Sequence, residues 1–159
     1  MKDITTKEKM QLKSNLGEPA YYTVTGNPSP KTRPRFGNGR VYDNQKDLKS
    51  RISYELKSQH DYVMPFEGPL KLEVTFFMPL PQRLRRKNHT DFYPPHSVKP
   101  DLDNLLKLLL DACNGVIIKD DALVSCIVSQ KVYSQIARTE LTITRLEPNG
   151  AKEDLDRKS

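Results

Sequence analysis

Long apolar runs are missing from this chain of 159 residues. No stretch approaches the roughly 20 apolar residues that cross a bilayer. The opening stretch, MKDITTKEKMQLKSN, has no apolar centre of the kind a secretory signal needs. The chain therefore reads as a soluble, cytoplasmic protein with no membrane partner. Cysteine is scarce: Cys113 and Cys126 are the two present, without CxxC or zinc-ligand spacing. That excludes a disulfide framework and a thiolate zinc site, and both are expected as small core residues in a reducing compartment. The three histidines, His60, His89 and His96, also lack ligand spacing, which argues against zinc. No EF-hand loop and no internal repeat is present. The length suits one domain with a buried core.

What is present is charge, unevenly spread. The net charge is +6, from 26 basic and 20 acidic residues. Between Pro28 and Arg51 stand seven basic residues (Lys31, Arg33, Arg35, Arg40, Lys46, Lys49, Arg51) against two acidic ones. Between Pro79 and Pro100 stand Arg83, Arg85, Arg86, Lys87 and Lys99 against Asp91 alone. The clustered acids fall between Asp101 and Asp121. A basic surface around an acidic centre is the electrostatic layout of a metal nuclease: cations hold phosphates, and carboxylates hold the ion that activates attack. Each basic cluster taken alone also fits a solvated loop.

The patterning gives an α+β order. YYTVTG, from Tyr21 to Gly26, reads as a strand. NPSPKTRPRFGNGR reads as a loop, because its prolines and glycines oppose regular structure, and RVYD as a short strand leaving it. Asp43 or Asn44 is placed to cap a helix running to about Gln59, with Leu48, Ile52 and Leu56 at a four-residue interval. Leu70, Leu72, Val74 and Phe76 alternate along a strand from Pro69 to Pro79. A long basic loop follows, then a helix from Leu102 or Asp103 to Asn114, with Gly115 as its left-handed terminator. VSCIVSQKVY and TELTITRL read as a strand pair joined by SQIAR. The expected architecture is a single α+β domain over residues 19–146: a mixed sheet of about four strands with two main helices packed on it. A flexible arm (1–18) and a charged tail (147–159) flank it.

Asp101 and Asp103 stand just ahead of the Leu-rich helix. Helix capping accounts for one of them, since aspartate is a favoured N-cap and the macrodipole favours acids there. It does not account for both. In an extended lead-in, two residues apart, the two carboxylates share a side and invite a cation. Asp120 and Asp121 fit a solvated turn when taken alone. A reversal through Asn114-Gly115 can return one of them toward the helix start and complete an all-oxygen site suited to Mg²⁺. Lys107 lies one turn beyond Asp103, among leucines, and is expected to be partly buried and to face the carboxylates. Asp111 reads as a structural partner for Lys107 or for nearby backbone. Phe92 and Tyr93 can stack on exposed bases or fill a small satellite core under the loop.

KPDLDNLLKLLLDACNG followed by KDDALV resembles the RusA family of Holliday-junction resolvases, whose members carry D-x-D-N-x-x-K-x-x-x-D-A-x-N-G and then a paired aspartate. Asp101, Asp103, Asn104, Lys107, Asp111, Ala112, Asn114 and Gly115 match in order, and Asp120-Asp121 match the pair. GNPSPKTRPRFGNGRVYD is similar to the family's Gly/Pro/Arg-rich lead-in to its first helix, and the resemblance spans Tyr21 to Leu146. Leu123 stands where members often carry Gln. The resemblance implies a homodimer that resolves four-way DNA junctions by paired symmetric nicks, with Mg²⁺ or Mn²⁺, in recombination and repair. It places essential carboxylates on Asp101, Asp103 and Asp121, the important lysine on Lys107, and Asp120 as an adjacent or alternate ligand. Two other readings stay open: a nuclease for flaps or other branched DNA, and a non-catalytic junction-binding module.

Overall fold

The computed structural model describes residues 17–85 and 93–146. The expected tail, and the expected arm apart from Gly17 and Glu18, lie outside the described residues. The elements run β1 (Ala20–Thr25), β2 (Arg35–Gly37), β3 (Arg40–Tyr42), α1 (Lys46–Gln59), β4 (Leu70–Pro79), α2 (Leu102–Cys113), β5 (Val124–Ser134) and β6 (Arg138–Arg145). Short 3₁₀ turns cover Gln82–Leu84 and Asp121–Leu123. Among the described residues no helix is long and apolar enough to cross a membrane.

The main sheet has four strands in the order β1-β6-β4-β5. β4 is its centre, antiparallel to β6 and parallel to β5. The parallel pairing follows from the connection, because α2 lies in the crossover between β4 and β5. The inward residues of β4 are the alternating set read from the sequence: Leu70, Leu72, Val74 and Phe76 are all buried. Cross-strand partners extend that face, with Leu141 opposite both Tyr22 and Val74, and Ile143 opposite Leu72. Both helices complete the same core. α1 contributes Ile52 and Leu56, and α2 contributes Leu105, Leu108, Leu109, Ala112 and Cys113, a stripe at helical spacing. The Ser53 hydroxyl donates to the Ala112 carbonyl at 2.9 Å and ties the helices together. Gly115, at φ 73°, ends α2 in the left-handed region as expected.

Four local expectations are corrected. β5 and β6 are not neighbours; they flank β4, and the short link between them crosses its end, where the Leu80 amide donates to the Ser134 carbonyl at 3.0 Å. β4 is buried, so the backbone N–H and C=O groups along both its edges need partners, and the two late strands supply them. The Pro-rich loop holds a hairpin: β2 and β3 pair around Asn38-Gly39, both at positive φ, the geometry that two-residue turns require. Helix α1 begins one or two residues later than expected, with Gln45 as its N-cap, because Asp43 and Asn44 are engaged elsewhere. Asp43 accepts from the Gln45 amide at 3.0 Å, and Asn44 accepts from the Thr32 hydroxyl at 3.0 Å. Cys126 is exposed, since it lies in the open half of the edge strand β5; only Cys113 is a core residue. Burial pushes the Cys113 thiol up to about 12, so it stays protonated.

Candidate active site

The first turn of α2 carries the two leading aspartates in different roles. Asp101 occupies the N-cap position with extended backbone (φ −69°, ψ 140°), and its carbonyl accepts from the Leu105 amide at 3.2 Å. Its side chain makes no capping hydrogen bond. The carboxylate instead meets Lys99 Nζ at 3.0 Å. Asp103 sits inside the helix, not in an extended lead-in, and faces Lys107 at 3.3 Å. The helix start thus takes no side-chain bond from Asp101, and both carboxylates stand at the surface next to the positive end of the helix dipole.

Lys107 departs from expectation: its side chain is 60% exposed. Its leucine neighbours are adjacent in sequence but not on its face. Leu105, Leu108, Leu109 and Ala112 point inward, and Lys107 projects about 200° around the helix from Leu105, on the side of Asp103. Asp111 pairs with Lys31 at 2.5 Å rather than with Lys107. The cause is the preceding loop, whose Lys31 amide also donates to the Asn104 carbonyl at 2.8 Å and lays that lysine along α2.

The second acidic pair divides its labour. Asp120 caps the 3₁₀ turn, accepting from the Ala122 amide at 2.8 Å. Asp121 is exposed, and no hydrogen bond or ion pair engages its carboxylate among the described residues. The reversal after α2 is anchored by the Lys119 amide on the Phe66 carbonyl at 3.0 Å and by the Gly115 amide on the Ile118 carbonyl at 2.7 Å. It returns the Asp121–Leu123 turn against α2. Among the described residues, no three Asp, Glu, His or Cys side chains converge as a formed metal cluster. The candidate donors Asp101, Asp103, Asp120 and Asp121 are all carboxylates, and Lys99 and Lys107 pair with Asp101 and Asp103. That donor chemistry fits a hard divalent ion such as Mg²⁺.

Of the basic residues singled out, Arg33, Arg35, Arg40, Arg83, Arg85 and Lys99 are exposed. Arg85 also donates to the Leu80 carbonyl at 2.8 Å. Arg86, Lys87 and Phe92 lie outside the described residues. Tyr93 meets Phe77 edge-on, 5.3 Å between ring centres, and Arg138 lies 3.7 Å over the same Phe77 ring. The satellite cluster on the second face of the sheet is therefore real, and Tyr93 is part of it.

Lys131 escaped the sequence reading. From β5 its ammonium donates to the carbonyls of Val98 at 2.5 Å and Pro100 at 2.6 Å. Backbone pairing strengthens the same strap: the Tyr133 amide donates to Pro94 at 2.9 Å, and the His96 amide donates to Lys131 at 3.0 Å. His96 packs against Tyr133, and burial, reinforced by the Lys131 ammonium, holds its imidazole below the usual histidine range. No local pattern marks such a lysine, because its partners are distant backbone carbonyls.

The family model described as endodeoxyribonuclease RusA matches residues 25–144. An uncharacterized protein of Bacillus subtilis (strain 168), YqaN, is 31% identical over 134 residues, covering 77% of this chain and 93% of its own. A protein of Lactococcus phage r1t named crossover junction endodeoxyribonuclease rusA is 32% identical over 106 residues, covering 63% of this chain and 76% of its own. The match takes in the hairpin, both helices and the acid-bearing turn, and the chain belongs to the RusA endodeoxyribonuclease family.

Proposed function

We propose that this protein is a Mg²⁺-dependent endonuclease that resolves four-way DNA junctions by paired nicks in opposed strands, as a homodimer, during recombination and repair in the cytoplasm. The observation that carries the reading is Asp101. It holds the N-cap position without using its carboxylate as a cap, two residues from Asp103, which pairs with Lys107. A side chain kept off the bond it is best suited to make is available for other chemistry. Membership of the RusA family supplies the reaction class.

In this reading Asp101, Asp103 and Asp121 hold the divalent ion, with Asp120 beside them as the residue that shapes the turn. A bound ion supplies charge neutralisation at the scissile phosphate and makes water more acidic. Lys107, exposed on the face of Asp103, orients the phosphate and offsets charge that develops on it. Arg33, Arg35, Arg40, Arg83 and Arg85 contact backbone phosphates, which fixes register without reading sequence. Lys31 contributes less, because Asp111 already engages its ammonium. A two-fold dimer presents two such sites to opposed strands.

The test is cleavage of a labelled four-way junction, a flap and a linear duplex of matched sequence, each with Mg²⁺, with Mn²⁺ and with chelator. Paired nicks on the junction that vanish with chelator and return with either ion are expected. Equal cutting of the flap would replace the junction reading with a broader branched-DNA nuclease. Binding without cleavage under every condition would leave a non-catalytic module. Sedimentation of the same preparation reports the dimer.

A further inference from the structure

The β2–β3 hairpin has no role in the core, yet it is firmly rooted. Lys31 bonds to α2 through the Asn104 carbonyl and Asp111, while Thr32 bonds to Gln45 at the start of α1. Gln45 returns a bond to the Pro30 carbonyl at 2.7 Å. Beyond that root every residue from Thr32 to Tyr42 is exposed. Phe36 is 84% exposed, Val41 61% and Tyr42 52%. Directly opposed residues of an antiparallel pair share a face, and neighbours alternate. The register pairs Arg35 with Tyr42, Phe36 with Val41 and Gly37 with Arg40. One face therefore carries Arg35, Arg40 and Tyr42, and the other carries Phe36 and Val41. Gly37 supports the assignment: a Cβ there would meet the Tyr42 ring at 3.8 Å. No acidic residue occurs from Pro28 to Tyr42.

A two-stranded hairpin with this much exposed apolar surface is marginal on its own. Its covering partner has to offer negative charge to one face and a flat apolar surface to the other. Nucleic acid with bases displaced from the stack offers both, and charge complementarity excludes a basic partner. We infer that the hairpin reads the branch point of DNA: Arg35 and Arg40, with Arg33 at the root, hold backbone phosphates, and Phe36 backed by Val41 stacks on a base exposed where strands part. This rests on the branched-DNA reading above. Because the root is bonded to α2 at Asn104, next to Asp103, a base held by Phe36 sets the register between the branch and the acidic site.

Binding without any divalent ion separates this role from cleavage. The probes are a four-way junction and a linear duplex of matched sequence, with 2-aminopurine at the branch. Phe36→Ala is expected to weaken junction binding by about 5- to 100-fold, the range for loss of one base–aromatic stack, and to leave duplex binding unchanged. The 2-aminopurine response should disappear with it and return in Phe36→Trp. Arg35→Ala and Arg40→Ala should weaken both DNAs and each lower the salt slope by about one. A wild-type preference for the junction that Phe36→Ala retains in full overturns the hairpin's role alone. Loss of self-association in Phe36→Ala, with DNA discrimination intact, also overturns it and assigns the apolar face to a second copy. A wild type that does not distinguish junction from duplex overturns the hairpin role and the branched-DNA reading together.

A separate observation concerns Lys131. The geometry assigns it as a positioning residue for the proposed reaction, because its ammonium fixes the two carbonyls that bracket Lys99, immediately before Asp101. Lys131→Met is expected to lower single-turnover cleavage by about 100-fold, the cost of an ångström-scale misplacement, at unchanged junction affinity. Amide exchange across residues 99–103 should rise in the same variant, and Lys131→Arg should restore both. Exchange that stays at the wild-type rate in Lys131→Met overturns the assignment whatever the enzyme cleaves, as does equal cleavage by Lys131→Met and wild type.

Discussion

Asp101→Asn is expected to abolish junction cleavage, by on the order of 10³-fold or about 4 kcal/mol of transition-state stabilisation, while junction binding stays intact or tightens. Three features set the expectation. The Asp101 side chain makes no capping bond, so the substitution removes no hydrogen bond from the helix start. Asparagine is itself a favoured N-cap residue, and the melting temperature should therefore not fall. The substitution also removes a negative charge from a surface that has to accept phosphate and frees Lys99 from its 3.0 Å contact. A gel shift and a single-turnover cleavage assay on the same labelled junction check both halves. Cleavage at the wild-type rate would show that the carboxylate does no chemistry and would return the acidic pair to a structural role.

The parts of the fold legible in the sequence are those with a local cause. The alternation in β4 and the helical stripe in α2 each state which side is buried, and the structure buries those sides. Strand adjacency has no local cause. The link between β5 and β6 is short enough for a hairpin, but β4 is buried and its two edges of backbone donors and acceptors take one late strand each. The hairpin was legible and missed. Asn38-Gly39 is a strong turn signal, and the prolines that argued for a loop lie before β2 rather than within it.

The site divides in the same way. Asp101, Asp103 and the acidic pair stand out by spacing alone. The surroundings of Lys107 were legible in principle: counting residues around a helix places it opposite the buried stripe, whereas counting neighbours along the chain places it among leucines. The Lys31–Asp111 contact and the Lys131 strap join residues 80 and 31–33 positions apart. Such pairings exist only after the chain has folded. The first ties the root of the hairpin to α2, and the second ties the segment that leads into α2 to β5.

Asp121→Asn and Asp120→Asn should separate, although the two residues are adjacent. Asp120 is committed to the turn, where its carboxylate receives the Ala122 amide at 2.8 Å. Asparagine can accept the same bond, so Asp120→Asn should cleave within a few-fold of wild type. Asp120→Ala loses the bond and should cost about 1 kcal/mol of stability, read as a lower urea midpoint. The Asp121 carboxylate supports no such bond, so its loss should leave the midpoint unchanged. Its proposed task is to complete the acidic site from the turn that packs on α2, and Asp121→Asn should therefore lower cleavage by about 10²- to 10³-fold, of the order of losing one preorganised electrostatic group in an active site. A loss of activity in Asp120→Asn with Asp121→Asn active would exchange the two assignments. Equal losses in both would mean that the turn rearranges when DNA binds and presents the carboxylates together.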